Sequence, residues 1–443
     1  MSLEKEKELK ECIKEKEREK ELYSKECVAE CINFAVGTAS AENTYLATHE
    51  RFACYLATIL ARDKEVVAVR LKVLPNSCDI YLSKNFHWLD KDVKYINEIQ
   101  NYLKDISKSA PTILKGTESA FTKAVMLYCS AKLESRLEKL KKDIEISNNS
   151  EYVNSFIDFF STKVNDINDG ENMYTISQIC MEYYKKIKDK SNISSKFLGH
   201  IKKVGSYVGS MLGIIECARN IQYKPLFSII RVFKRNPDII NNQSIYSWKN
   251  IIKRFIDENN YKCFMDRCSK KPKVMERWRK VYTNIGTQQQ QLDGNDVKQC
   301  IYLHAEMNIL ALIIDDKIKS REFIAVSKRC CYLCELYIDF ARRHGYNIIV
   351  SGNHKKIYSG WKLLNVKDNT FKIEALRYIL ENLDRILENK IKYYAKSLQA
   401  DSDNGENNLD PKNSDSGYLG KYFNQYNEYV NKFTLVEKRV SRK

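Results

Sequence analysis

The chain has 443 residues with 15 Gly and only 6 Pro, and 74 Lys plus Arg against 57 Asp plus Glu give a net charge of +17. So little Gly and Pro excludes a collagen-like chain, a flexible linker protein and a Gly/Pro-turned β-sandwich. With 43% hydrophobic residues, 28 Tyr and 17 Phe, bulk disorder is excluded too, and a helix-rich chain with sizeable cores remains.

The basic excess permits a nucleic acid or another anionic partner, or only lysine-solvated helices. No apolar run reaches the ~18 residues of a membrane span. The first residues hold no apolar leader, so a cytoplasmic location is expected and the 14 cysteines are read as reduced thiols.

Residues 1–43 open with nine Glu and eight Lys/Arg between positions 4 and 26, which predicts a charged, solvated helical extension. Residues 44–87 follow as a helix plus β-hairpin. Phe52, Leu56, Ile59 and Leu60 share one helical face. Val67, Val69, Leu71 and Val73 alternate with Arg70 and Lys72, Pro75-Asn76-Ser77 turns the chain, and Cys78, Ile80 and Leu82 alternate back. Residues 88–297 read as a large all-helical insertion. Within it Gly205, Gly209 and Gly213 recur every fourth residue, a spacing that lets a neighbouring helix approach closely.

Residues 298–396 have a different texture. An apolar helix over 304–314 and a short buried strand at Phe323–Val326 precede an amphipathic helix over 331–344. Gly345 ends that helix, and a second buried strand spans Asn347–Val350. Two apolar strands joined by a helix predict a parallel, right-handed crossover. Residues 397–443 are read as a low-complexity, flexible tail.

His304-Ala305-Glu306 opens one helix of this region, and Cys331-Tyr-Leu-Cys334 opens the next. His304, Cys331 and Cys334 suit tetrahedral Zn²⁺ with one open position. A bound water there would be acidified. Glu306, on an otherwise apolar helix, reads as the proton shuttle and catalytic residue. The N-terminal end of the Cys331 helix favours thiolate.

His-x-Glu followed by Cys-x-x-Cys resembles the zinc-dependent nucleic acid and nucleotide deaminase superfamily, which is cytidine deaminase-like. The run Val326-Ser-Lys-Arg-Cys-Cys-Tyr-Leu-Cys334 is most similar to an Orientia-type deaminase-like family of intracellular bacteria and fungi, thought to include toxins or effectors. Where that pattern has Pro before the first ligand Cys, this chain has Cys330. Cys330 and Cys331 therefore compete as ligand, and the two-residue gap to Cys334 favours Cys331.

The resemblance implies an α/β fold with a three-layer core, helices around a mixed sheet, split by the helical insertion. Asn85 and His304 are separated by 218 residues. It implies hydrolytic deamination of a nucleobase, cytosine favoured over adenine, in a nucleotide or single-stranded nucleic acid. It also leaves open secretion into a host cell by a signal-independent route. Asn85 ends the second hairpin strand, where similar enzymes contact the sugar. His354, Tyr358 and Trp361 follow the last strand, where neighbouring nucleotides are held.

Other features carry two readings each. Seven Lys/Arg between 267 and 280 could track a phosphate backbone or solvate a helix face. The insertion could shape substrate choice or bind a protein partner. Cys263 and Cys268 read as packed thiols, and His49, His87 and His200 lack ligand spacing. The competing functions are a structural zinc module, with Cys300, Cys330 or His344 as fourth ligand, and a catalytically silent binding scaffold.

Overall fold

The computed structural model describes residues 3–38, 45–112, 114–165, 173–283, 291–294 and 296–395. The tail expected over 397–443 lies outside them. The chain begins with α1 (Leu3–Ile32), α2 (Thr48–Ile59), β1 (Val67–Leu74), β2 (Ser77–Lys84) and α3 (Asp90–Lys108). It continues through α4 (Lys115–Ile146), α5 (Glu151–Asn165), α6 (Met173–Ile187), α7 (Ser195–Arg219) and α8 (Lys224–Ser228). Next come β3 (Ile230–Arg235), β4 (Ile239–Ile245), α9 (Trp248–Ile252), α10 (Glu258–Ser269), α11 (Pro272–Tyr282) and β5 (Val297–Tyr302). The last elements are α12 (Ala305–Asp315), β6 (Glu322–Val326), α13 (Tyr332–Arg343), β7 (Ile348–Val350) and α14 (Asn369–Ala395). Residues 3–118 and 214–395 form one compact unit, and 119–213 form another.

The first unit is mixed α/β around a five-stranded sheet in the order β3-β2-β1-β6-β7. The β1/β2 hairpin is antiparallel, with Val69 opposite Leu82 and Leu71 opposite Ile80. β1 also pairs antiparallel with β6 through Ala68–Val326 and Val69–Ala325. The hairpin and the strand before the Cys motif therefore occupy one sheet across a long stretch of chain. β6 and β7 pair in parallel around α13, as a strand-helix-strand crossover requires.

Strand alternation explains the layers. Leu71, Val73 and Cys78 lie on the face that meets Phe52 of α2 and Phe227 of α8. Ala68 and Ile324, one residue out of phase, join the core of α12, with Met307, Ile309 and Leu310. Helix α12 is apolar nearly all round because it is buried nearly all round.

A buried charge network closes the hairpin end. Lys84 Nζ lies 2.5 Å from Asp92 Oδ2 and 3.1 Å from Glu65 Oε1. Arg62 reaches the same two carboxylates at 2.7 and 3.3 Å. Two cations and two anions thus satisfy one another away from water.

Two expectations change. The run over 88–297 is not all helical. β3 extends the main sheet in parallel with β2, and β4 pairs antiparallel with β5. Arg231, Lys234 and Arg235 fill half of β3 and hide its alternation, which an edge strand tolerates because one side meets water. Helix α1 is not a solvated extension. Leu22, Tyr23, Cys27, Val28, Cys31 and Ile32 are buried in the main core, and the helix packs on α14 and α11.

The second unit is helical. Gly205 of α7 packs so closely on α6 that an added Cβ would lie 2.5 Å from Met181 N. Close packing thus needs glycine at 205, whereas a Cβ at Gly209 would meet only the Met181 side chain at 3.5 Å. Among the described residues no helix is long and apolar enough to cross a membrane.

Candidate metal centre

Two helix starts converge on one point. β5 ends at Tyr302, and His304 caps α12 with extended backbone at φ −65° and ψ 150°. Cys331 caps α13, its Sγ accepting the Cys334 N–H at 3.4 Å. His304 Nδ1 lies 3.5 Å from Cys331 Sγ and 3.2 Å from Cys334 Sγ, and the two sulfurs are 3.3 Å apart. Ligand atoms of His304, Cys331 and Cys334 all fall within 4.8 Å of one another. This trio could hold a metal ion. Two sulfurs and an imidazole are the donor set of a borderline-soft cation such as Zn²⁺.

The electrostatics agree with that chemistry. Burial pushes the Cys331 thiol up, but hydrogen bonds from Cys334 and the neighbouring His304 outweigh it and hold Cys331 well below the usual range. Burial and the Cys331 thiolate push Cys334 well above that range. The two sulfurs therefore share one negative charge, and a bound cation would stabilise the second. Burial alone would lower His304, yet Cys331 raises it overall.

Glu306 is 3% exposed, in the first turn of α12 beside His304. Burial raises its pKa, His304 opposes that, and Cys331 adds to it. The site thus places a proton acceptor, hidden from bulk water, beside the donor trio.

The competing ligands sit elsewhere. The backbone of Cys330 bonds Gly352 O and His354 N, and its thiol is outside the trio. Cys300 is exposed and directs its sulfur to Asn241. His344, at the far end of α13, meets Phe340 O at 2.9 Å and Glu374 at 3.4 Å. Among the described residues Cys263 and Cys268 join no ligand cluster. His200 pairs with Asp143 at 3.3 Å in the other unit.

The expected substrate residues divide. Asn85 is 6% exposed, and its Oδ1 accepts the Val66 N–H at 2.8 Å, fastening the hairpin end. Its neighbour Phe86 stacks on Tyr302 at 6.3 Å, and Tyr302 lies against the His304 ring at 5.4 Å. His354 is half-buried, accepts the Lys356 N–H at 3.2 Å, and meets Tyr358 edge-on at 5.4 Å. Both His354 and Tyr358 feel the charge of Cys331. Trp361 is fully buried, and its Nε1–H points to Cys334 Sγ at 3.2 Å. It therefore supports a candidate ligand and faces no solvent.

In the 267–280 run, Lys270 pairs with Asp266, Lys280 pairs with Glu30, and Arg277 lies 4.4 Å over Phe34. Lys271, Lys273 and Arg279 remain exposed. Sequence reasoning missed Tyr302, Phe86 and the buried face of α1. Their signals, an aromatic after a strand and an i, i+3, i+7 pattern inside a charge run, are too common to stand out.

The family model of an OTT_1508-like deaminase matches residues 303–365 of the 443. That segment holds the whole donor trio and Glu306, and the match supports a deaminase-like enzyme. No curated protein and no solved structure is significantly similar to the chain.

Proposed function

We propose that the chain is a zinc-dependent hydrolytic deaminase of a nucleobase, with cytosine favoured over adenine, in a nucleotide or single-stranded nucleic acid. The observation that carries this reading is the buried Glu306 carboxylate beside His304, Cys331 and Cys334. A structural zinc site has no use for such a group. When bound, zinc supplies Lewis acidity toward a water nucleophile. Glu306 would carry one proton of the attacking water to the ring nitrogen and, in a second transfer, the remaining hydroxyl proton to the leaving amine. Overall C–NH₂ and H₂O become C=O and NH₃.

The cytidine deaminase-like core proposed here fits the hairpin, α12, β6, α13 and β7 in one layered unit. Phe86, 47% exposed, and Tyr302 offer ring faces next to His304. Tyr358 and Phe34, with Lys356 and Arg277 over Phe34, interleave aromatic and cationic groups. Stacking on such rings stabilises bases by ~1–3 kcal/mol each. An effector role rests on the family resemblance alone.

Ammonia release is to be screened over nucleosides, nucleotides, RNA and DNA. Release from a cytosine-containing substrate that Glu306→Gln abolishes supports the reading. No release from any of them by zinc-loaded protein overturns it.

A further inference from the structure

We propose that helix α1 belongs to the metal centre, with Glu26 as a positioning residue that acts through Trp361 on Cys334. The inference rests on reading His304, Cys331 and Cys334 as metal ligands. It concerns a part of the chain more than 320 residues before Trp361 in sequence and outside the matched segment.

Tyr23, Glu26 and Glu30 stand at i, i+3 and i+7, on one face of α1. All three receive backbone N–H groups of a single short stretch. Gly360 donates to Glu26 Oε1 at 2.9 Å, Ser359 to Glu30 Oε2 at 2.6 Å, and Leu363 to the Tyr23 hydroxyl at 3.4 Å. The opposite edge of that stretch pairs with the end of β5. Tyr302 N–H reaches Gly360 O at 2.8 Å, and Lys362 N–H reaches Tyr302 O at 3.1 Å. The stretch is therefore clamped between α1 and the strand that delivers His304.

The clamp is tight at its centre. Gly360 has φ +84°, and a Cβ there would lie 2.9 Å from Cys300 O. Trp361, next in sequence, has no freedom to leave, and its indole N–H rests on Cys334 Sγ. Glu26 has no exposed surface, and its Oε2 has no hydrogen-bond partner. Burying a half-satisfied carboxylate is costly. Burial pushes the Glu26 carboxyl well above the usual range and the Gly360 N–H opposes that; a polar acceptor kept at this cost in the core points to its hydrogen bond with the loop as its use. An N–H···S hydrogen bond withdraws charge from a thiolate and weakens its donation to a metal. Groups that hold such a donor in place tune the centre without touching it.

The test replaces zinc by Co²⁺ in the full chain and follows the sulfur-to-cobalt charge-transfer band. Trp361→Phe removes the N–H and is expected to move the band to lower energy. Glu26→Met keeps the volume but removes the acceptor, and the band is expected to move the same way. The double variant is expected to shift no further than the larger single one. Glu26→Gln, which keeps an acceptor oxygen, is expected to retain the wild-type band. A wild-type band in cobalt-loaded Glu26→Met, or additive shifts, overturns the proposal. If Glu26→Met does not fold, Glu30→Met carries the test, with a smaller shift expected and an unmoved band overturning it. A wild-type chain without any sulfur-to-cobalt band overturns the metal reading and the clamp together. A wild-type band that all variants leave in place overturns the clamp alone.

Discussion

Nδ1 of His304 lies 3.2 Å from Sγ of Cys334, although the two residues open different helices and a sheet strand runs between them. Such an approach of imidazole to thiol makes metal binding the first property to measure. One Zn²⁺ per chain is expected by elemental analysis. His304→Ala, Cys331→Ala and Cys334→Ala should each lose it, and Cys330→Ala, Cys263→Ala and Cys268→Ala should keep it. The pH dependence has a fixed sign. Without metal, Cys334 holds its proton well above the usual range, so zinc must displace that proton. Zinc affinity measured by chelator competition is therefore expected to rise with pH.

The donor trio was legible because its signal is chemical and local. His304, Glu306 and Cys331-x-x-Cys334 declare themselves by residue type and spacing. The β1/β2 hairpin was legible because seven apolar residues alternate through it on one face. Helix α1 was not, since its apolar stripe starts only at Leu22 and is masked upstream by alternating Glu and Lys. β3 and β4 escaped for a related reason. One is half basic and the other rich in Asn and Gln, and only pairing with distant strands makes either extended. Trp361 had the right neighbourhood and a different task, because burial against Cys334 is a tertiary fact that no spacing encodes.

Glu306→Gln separates catalysis from structure. The amide keeps the shape of the side chain and removes a buried acid whose charged form burial disfavours. Zinc content and the circular dichroism spectrum should match wild type. Deamination should fall by about 10²–10⁴-fold, the usual contribution of a general acid–base group. Full activity in zinc-loaded Glu306→Gln would remove this residue from the mechanism.

In the helical unit, Gly205→Ala and Gly209→Ala make a matched pair. The first would put a methyl 2.5 Å from Met181 N, which is backbone and cannot turn aside. The second meets only Met181 Sδ at 3.5 Å, ordinary contact with a flexible side chain. Gly205→Ala should destabilise the unit by about 1–3 kcal/mol, the usual cost of overpacking. Gly209→Ala should be neutral or slightly stabilising, since Ala favours helix over Gly. Hydrogen exchange of α6 and α7 amides reads both.

The charge network at the end of the hairpin gives the last test. Lys84 and Asp92 have side chains 1% and 0% exposed, so neither can turn to water when its partner is removed. Asp92→Leu takes one carboxylate from the network and leaves the buried Lys84 ammonium under-compensated. Removing one partner of a buried pair costs about 3–5 kcal/mol. Lys84→Met added to Asp92→Leu leaves Arg62 with Glu65, already 2.7 Å apart, and restores neutrality. The double variant should therefore recover most of the stability lost by the single one. All four tryptophans, Trp88, Trp248, Trp278 and Trp361, lie in this unit, so denaturant unfolding followed by their fluorescence reports on it. A double variant no more stable than Asp92→Leu would mean that Asp92 acts chiefly by capping α3 through the Leu89 N–H, 2.9 Å away, and not by neutralising Lys84.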